Sequence, residues 1–325
     1  MAQKIFIAVF VVSLLINLAL GFKSLYPKRE TKDEEMTQQF PYLAKRIFIE
    51  QPNDVIINFI PLRSNIREYI AGKKDKIGFY FEYLPTGIGV GVNDRELFFR
   101  ASLIKVPTVM SAYELIEQGM LGKGDELIIE EHHLDKTYGS LWKRGAASKV
   151  TVEEAIRLAI IESDNTAYEV LSEKVNDLLN ADVGKEKDVD DVYDYLDIPT
   201  DSDGLTQDIT PRNYSSILRS LFFSAFLSYN DSNELLWLLS QSNYTEGIAK
   251  PLLGKVQVAH KFGIRNLEPD ESLTVHSDCG VIYYPKRPYL LCVMVGSGDK
   301  EITGKYMQEI SDIVYKFIST AKGGN

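Results

Sequence analysis

The stretch from residue 103 to 120 constrains the fold most, because its apolar residues occur on almost every side of a helix. A helix that is apolar all round is a buried one. Lys105 lies inside this stretch, and a buried ammonium group without partners is costly. We therefore expect a central helix with Ser102 at its start and Lys105 in its first turn.

Ser102 and Lys105 are three positions apart, so a helix places both side chains on one face, one turn apart. A serine hydroxyl is a poor nucleophile until a base removes its proton. A lysine amine is such a base once burial or a second cation lowers its pKa. A Ser-x-x-Lys pair also arises by chance in a chain of this length, so its meaning depends on partners elsewhere.

Composition and charge indicate a globular protein and argue against nucleic-acid binding and a metal site. The chain has 325 residues, of which 45% are hydrophobic and 25% charged, an ordinary globular balance. Its net charge of −10 argues against nucleic-acid binding. Two cysteines and four histidines lack the spacing of a metal site, so we expect neither a metal nor a cofactor. The pair His132 and His133 is expected in a solvated loop.

The N-terminus carries an apolar run at residues 5–22, preceded by Lys4. Its 18 residues are just enough to span a bilayer. A signal peptide is the alternative, but its apolar region is usually shorter and no small-x-small cleavage site follows. We predict a membrane anchor with a polar linker at 1–38 and a folded domain at 39–325.

Short apolar and alternating segments predict strands near both ends of the folded part. Turn residues join these segments as hairpins, which favours an antiparallel sheet. Helical segments dominate the sequence between them. The predicted fold class is α/β, more closely α+β, with an antiparallel sheet from both chain ends flanked by helices and an all-helical insert. The predicted strands are residues 77–83, 88–92, 256–260, 280–284 and 290–295.

Two polar clusters downstream are candidates for the partners of Ser102. Ser163, Asp164 and Asn165 lie between two predicted helices, where they are also typical helix caps; we expect Asn165 or Thr166 to cap the second helix. Lys261 follows the strand at 256–260 and precedes Phe262 and Gly263. Taken alone, it is more typical of an edge-strand lysine beside a bulge glycine.

Together the three clusters resemble class A β-lactamases and the related penicillin-binding proteins. Ser-x-x-Lys, Ser-Asp-Asn and a Lys-x-Gly segment occur in that family's order and with similar spacing. The flanking residues of Ser102 and Asn165 and the strand near 278–285 are also similar to the family. The resemblance covers roughly residues 60–320 and implies the β-lactamase/transpeptidase-like fold.

The resemblance also implies roles for individual residues. Ser102 attacks a carbonyl, Lys105 takes or relays its proton, and Ser163 bridges Lys105, Lys261 and the leaving nitrogen. Asn165 binds the substrate's side-chain amide, and Lys261 attracts a substrate carboxylate. The backbone N–H groups of Ser102 and Ile264 form the oxyanion hole. Tyr138 matches a cleft-wall aromatic residue.

The sequence departs from the family in two places. Class A enzymes carry a glutamate in their Ω-loop, whereas residues 194–201 contain none. Asp194 or Asp197 is a shorter substitute, and the alternative is a solvated acidic loop. Phe262 replaces the hydroxyl residue that normally helps to bind the substrate carboxylate, and Arg265 is a candidate to compensate for it.

Cys279 and Cys292 flank one predicted hairpin. A cross-strand disulfide is possible, but we favour two separate buried thiols.

Three functions fit these observations. The first is a class A-like serine hydrolase that opens a β-lactam or similar amide through an acyl-enzyme. The second is a D,D-peptidase acting on peptidoglycan stem peptides, which the absent glutamate favours. The third is a non-catalytic, membrane-tethered module that binds the cell wall or senses β-lactams. Each implies a location on the extracytoplasmic face of a bacterial membrane; the sequence leaves the oligomeric state open.

Overall fold

The structure is a computed structural model, and it describes residues 39, 41–43, 57–183, 190–199, 208–266 and 273–321. The chain divides into two units, residues 1–41 and residues 42–325. The predicted membrane anchor at 5–22 lies outside the described residues. Within the described ranges, every helix falls short of the length or apolar character that crossing a bilayer requires.

The second unit alternates strands and helices in an order that brings both ends of the unit together. The strands are β1 (Lys76–Tyr83), β2 (Ile88–Val92), β3 (Phe98–Phe99), β4 (Glu126–Ile128), β5 (Lys149–Thr151), β6 (Asp208–Ile209), β7 (Val258–Asn266), β8 (Thr274–Ile282) and β9 (Tyr289–Ser297). The helices are α1 (Ile60–Ala71), α2 (Lys105–Glu117), α3 (Val152–Arg157), α4 (Asn165–Val183), α5 (Asp190–Tyr195), α6 (Pro211–Phe222), α7 (Tyr229–Ser240) and α8 (Lys300–Thr320).

Five strands form one antiparallel sheet in the order β2-β1-β9-β8-β7. The N-terminal hairpin joins the C-terminal strands where β1 pairs with β9, with Phe79 opposite Val293. β7 is left at one edge. The predicted fold class, a sheet assembled from both chain ends around a helical insert, is confirmed.

The last three strands are longer than the sequence predicts. β8 begins at Thr274, six residues before the predicted strand, and every one of its residues is buried. Strands buried on both faces lose the alternation of polar and apolar residues that marks a strand in a sequence. Helix α7 was not predicted at all.

Cys279 and Cys292 form a disulfide bond, so the preference for two separate thiols was wrong. The antiparallel register of β8 and β9 places the two residues directly opposite each other. That register depends on the whole sheet and cannot be read from the spacing of the two cysteines.

Both faces of the sheet are covered by helices. α1 and α8 pack against one face and enclose the larger apolar core, which contains Leu62, Phe81 and Val314. α6 packs against the other face, where Arg219 donates a hydrogen bond to the buried Glu82 of β1 at 3.2 Å. α2 is buried along most of its length, as predicted from its sequence. The edge strand β7 lies against the turn that precedes α2.

Candidate active site

Ser102 lies in a 3-10 turn, Ala101–Ile104, that leads directly into α2. Ala101 has a φ of +45°, in the left-handed region that residues other than glycine seldom adopt. A Cβ atom on Gly263 of β7 would stand only 3.0 Å from the backbone nitrogen of Ser102. Gly263 therefore lets the edge strand approach the turn closely. Ser102 is partly exposed, which leaves it open to a substrate.

Ser163 follows a π-helical turn, Leu158–Glu162, at the end of α3. Such turns are frequent at functional sites. Ser163 has a φ of +54° and is buried. A second unusual backbone conformation thus occurs at the second polar cluster.

Lys105 is almost fully buried, and its amine is surrounded by the second cluster. Nζ donates hydrogen bonds to the backbone oxygen of Ser163 and to Oδ1 of Asn165, both at 2.6 Å, and lies 3.3 Å from Ser163 Oγ. These partners supply the hydrogen bonds that a buried amine needs.

Lys261 reaches the same serine from β7. It has no exposed surface, and its Nζ donates hydrogen bonds to Ser163 Oγ at 2.7 Å and to the backbone oxygen of Phe262 at 2.9 Å. Ser163 Oγ therefore accepts from both lysines. A hydroxyl has two acceptor lone pairs and one proton, so the proton of Ser163 remains available to a third group.

Burial lowers the pKa of both amines. It lowers the pKa of Lys105 to about 7, although the carboxylates of Asp164, Asp135 and Glu169 oppose this shift. Burial, reinforced by the charge of Lys105, also holds the pKa of Lys261 well below its usual value. A neutral amine is a proton acceptor, so Lys105 is suited to act as a base near pH 7.

Asp164 organises the loop beside these amines. Its Oδ2 accepts hydrogen bonds from the backbone N–H groups of Ser140 and Leu141, and its Oδ1 accepts from that of Ala167 at 2.9 Å. The last contact makes Asp164 the cap of α4, so the expectation that Asn165 or Thr166 caps this helix was wrong. Gly139 has a φ of +92° and packs directly against the Asp164 carboxylate.

Hydrogen bonds join Lys105, Ser163, Asn165 and Lys261 into one cluster, and the turn that carries Ser102 adjoins it through Gly263 of β7. Asn165 uses both ends of its amide, because Nδ2 also donates to Thr137 Oγ1 at 2.8 Å.

Tyr138 and Ile264 lie at the rim of this cluster. The backbone oxygen of Tyr138 accepts a hydrogen bond from Asn165 N at 3.0 Å, and its ring is 44% exposed. Ile264 lies in β7, opposite His276 of β8. The backbone oxygen of Phe262 accepts a hydrogen bond from Lys261 Nζ, so it points toward the edge of β7 that does not pair with β8. Residues two apart in a strand point their N–H groups the same way, so the N–H of Ile264 faces that edge too.

Arg265 does not fill the place left by the missing hydroxyl. It is exposed, and its guanidinium stacks on the ring of Phe99, 4.7 Å from the centroid. Asp194 and Asp197 are also exposed. Both side chains are solvated, as the alternative interpretation expected, but Asp194 lies in α5 and only Asp197 lies in a loop.

Sequence reasoning missed Tyr244 and His276. The ring of Tyr244 stacks on Phe262 with centroids 4.0 Å apart, and its hydroxyl lies 2.8 Å from Nε2 of His276. Tyr244 comes from a loop without a recognisable motif, so no sequence signal pointed to it.

One group of residues resembles a metal site. Ligand atoms of His132, His133 and Glu173 all lie within 4.8 Å of one another. His132 is exposed, but His133 is buried, so the solvated-loop prediction fails for His133. Nδ1 of His133 accepts the backbone N–H of Glu130 at 3.0 Å. With Nδ1 accepting that bond, Nε2 has no lone pair available to a metal ion, although it lies 3.1 Å from Glu173 Oε2.

The model of the beta-lactamase enzyme family matches residues 61–318. A search of curated protein sequences finds no significant match.

Solved structures with the same fold include both β-lactamases and PBP-A. The structure of PBP-A has 20% sequence identity and a TM-score of 0.68, and the match covers 80% of this chain and 96% of that one. A β-lactamase from Sphaerobacter thermophilus has 18% identity and a TM-score of 0.67, with coverages of 81% and 98%. A leucine-to-glutamate variant of PBP-A, solved as an acyl-enzyme complex with penicillin G, has 19% identity, a TM-score of 0.67 and coverages of 80% and 96%.

The family match spans most of the chain and includes every element that carries the clustered residues. The chain therefore belongs to the beta-lactamase enzyme family and is a beta-lactamase-fold serine hydrolase of the penicillin-recognising superfamily.

Proposed function

We propose that the protein is a serine acyl-enzyme hydrolase of the class A type, in which Ser102 opens a β-lactam or a related amide or ester. One observation carries this proposal: the hydroxyl of Ser163 accepts hydrogen bonds from both Lys105 and Lys261, next to the turn that presents Ser102. Burying two amines costs free energy. Groups whose pKa values are shifted by burial cluster at functional sites, which favours a catalytic role for this pair.

The proposed acylation begins when neutral Lys105 takes the proton of Ser102, directly or by relay. The Ser102 oxygen forms a bond to the substrate carbonyl carbon, and the backbone N–H groups of Ser102 and Ile264 stabilise the oxyanion. Ser163 then passes its proton to the leaving group as the scissile bond breaks. The proton taken by Lys105 replaces the one that Ser163 gives up. Asn165 orients the side-chain amide of the substrate.

A D,D-peptidase on cell-wall stem peptides is the second candidate. Hydrolysis of the acyl-enzyme by a class A β-lactamase depends on a carboxylate that activates water. Asp194 and Asp197, the two candidates in the described part of this region, are exposed. This observation favours slow release of the acyl group, which suits a peptidase better than a β-lactamase.

A membrane-tethered, extracytoplasmic location is part of the proposal. The apolar run at residues 5–22 supports a tether. The Cys279–Cys292 disulfide supports an oxidising compartment, where such bonds persist.

Exposure of the full-length protein to a fluorescent penicillin and to a chromogenic cephalosporin tests the proposal. Labelling that Ser102→Ala abolishes is the expected result. Rapid cephalosporin turnover indicates the β-lactamase, and stable labelling without turnover indicates the peptidase. If neither a penicillin, a cephalosporin nor an activated ester acylates Ser102, the proposal is wrong and a binding or sensing module remains.

A further inference from the structure

Three aromatic rings pack together beside Lys261. Phe262 on β7 is 97% buried, with Tyr244 stacked on one side of it at a centroid distance of 4.0 Å. Tyr138, from the loop before α4, meets Phe262 edge-on at 5.6 Å. β7 and the loop before α4 thus touch through an aromatic cluster made of Tyr138, Phe262 and Tyr244. Tyr138, at 44%, is the most exposed of the three residues.

The cluster shields the nearest cation. Lys261 has no exposed surface and donates two hydrogen bonds within the protein, to Ser163 Oγ and to the oxygen of Phe262. The ring of Phe262 lies 4.5 Å from its Nζ. A ring in that position attracts the ammonium through its π face and occupies space that a carboxylate would need.

Other basic groups near the cluster are also engaged or neutral. Arg265 stacks on Phe99. His276 lies opposite Ile264 and is buried, with Nε2 against the Tyr244 hydroxyl and Nδ1 against Thr303 Oγ1, each at 2.8 Å. Burial lowers the pKa of His276 to about 4, so its ring is neutral at pH 7. This end of the cleft therefore offers an apolar aromatic wall in place of an anion-binding group.

We propose that the aromatic cluster Tyr138–Phe262–Tyr244 selects acyl donors that are uncharged and aromatic on the leaving-group side, and that it disfavours donors with a free carboxylate there. This inference rests on the proposed function of Ser102. Stacking against an exposed tyrosine favours an aromatic group, while a carboxylate would lose water without gaining a partner. The sequence-based expectation that Lys261 attracts a substrate carboxylate is replaced by this one.

A matched pair of substrates tests the inference. Phenyl phenylacetylglycinate and its 3-carboxyphenyl counterpart differ only in a carboxylate on the leaving phenol. We expect the full-length protein to hydrolyse the phenyl ester with a kcat/KM at least about tenfold higher, after correction for spontaneous hydrolysis. Phe262→Thr should remove or reverse this preference, whereas Phe99→Leu, a control at the ring under Arg265, should keep it.

The outcomes separate the two proposals. Equal or faster hydrolysis of the carboxyphenyl ester by the wild type overturns the inference and leaves the hydrolase assignment in place, and this readout needs no variant. An unchanged preference in a folded Phe262→Thr protein also overturns it, and Phe262→Ser, which likewise removes the ring and supplies a hydroxyl, replaces that variant if it does not fold. If neither ester acylates Ser102 while a penicillin does, the inference is overturned and the hydrolase assignment stands, because a penicillin carries a carboxylate on its leaving-group side. If a penicillin, a cephalosporin and an activated ester also fail to acylate Ser102, the proposed function fails and the inference fails with it.

Discussion

Lys261 Nζ lies 2.7 Å from Ser163 Oγ, although 98 positions separate the two residues in the chain. The contact joins an edge strand of the C-terminal hairpins to the turn between α3 and α4. Because Ser163 Oγ also lies 3.3 Å from Lys105 Nζ, it links Lys261 to the first residue of α2, the helix that follows Ser102.

The rate of Ser102 acylation should depend on the neutral form of Lys105. Its pKa is about 7, so the rate should rise with pH between about pH 6 and 8 and level off above that range. Stopped-flow acylation with an activated ester measures the profile. Lys105→Ala should reduce acylation by a factor of about 100 or more with its circular dichroism spectrum unchanged. Wild-type rates in that variant would remove Lys105 as the base.

Burial of Lys105 should also make stability depend on pH. The pKa of its amine is about 7 in the folded protein and near 10.5 in the unfolded chain. Between these values the unfolded chain binds more protons, so the free energy of unfolding rises with pH, by up to about 1.4 kcal/mol per pH unit. Urea denaturation from pH 7 to 9 should show a steeper rise for the wild type than for Lys105→Met. Parallel curves would contradict the lowered pKa.

Asp164→Asn should destabilise the protein, because an amide has one acceptor oxygen where the carboxylate serves three backbone N–H groups. We expect a loss of about 1–3 kcal/mol in the free energy of unfolding. The exposed Asp197→Asn is the matched control and should change it by less than about 0.5 kcal/mol. Equal denaturation midpoints for the two variants would argue against an organising role for Asp164.

Release of the acyl group should not depend on the acidic loop. Asp194 and Asp197 are exposed, so the double variant Asp194→Asn/Asp197→Asn should lose a bound acyl group at the wild-type rate. Intact-protein mass spectrometry after removal of excess penicillin follows the decay. A markedly longer-lived adduct in the double variant would identify one of these carboxylates as a participant in deacylation.

The Cys279–Cys292 bond should contribute measurably to stability. It closes a loop with a sequence separation of 13, for which the chain-entropy model gives about 3 kcal/mol. The variant Cys279→Ala/Cys292→Ala should lose roughly that amount in urea denaturation. Alkylation of both thiols in unreduced, denatured wild-type protein would show that the bond does not form.

The site residues were predicted from two local patterns, the Ser-x-x-Lys spacing and the apolar residues around Lys105. The Ser-x-x-Lys spacing gave the register of Ser102 and Lys105, since residues three apart share a helix face. The apolar surroundings of Lys105 predicted its burial, and burial is the main cause of its lowered pKa. The role of Asp164 as a cap was assigned to its neighbours instead, because Ser, Asp, Asn and Thr are all favoured caps.

By itself, the sequence determined the central buried helix, the antiparallel sheet from both chain ends and the identity of the clustered polar residues. Only the tertiary structure decided that Arg265 stacks on Phe99, that Tyr244 and Phe262 build an aromatic wall beside Lys261, and that Cys279 faces Cys292. Helix periodicity and strand alternation are properties of a few consecutive residues. Strand register and contacts across a cleft depend on how distant segments pack, which no local pattern encodes.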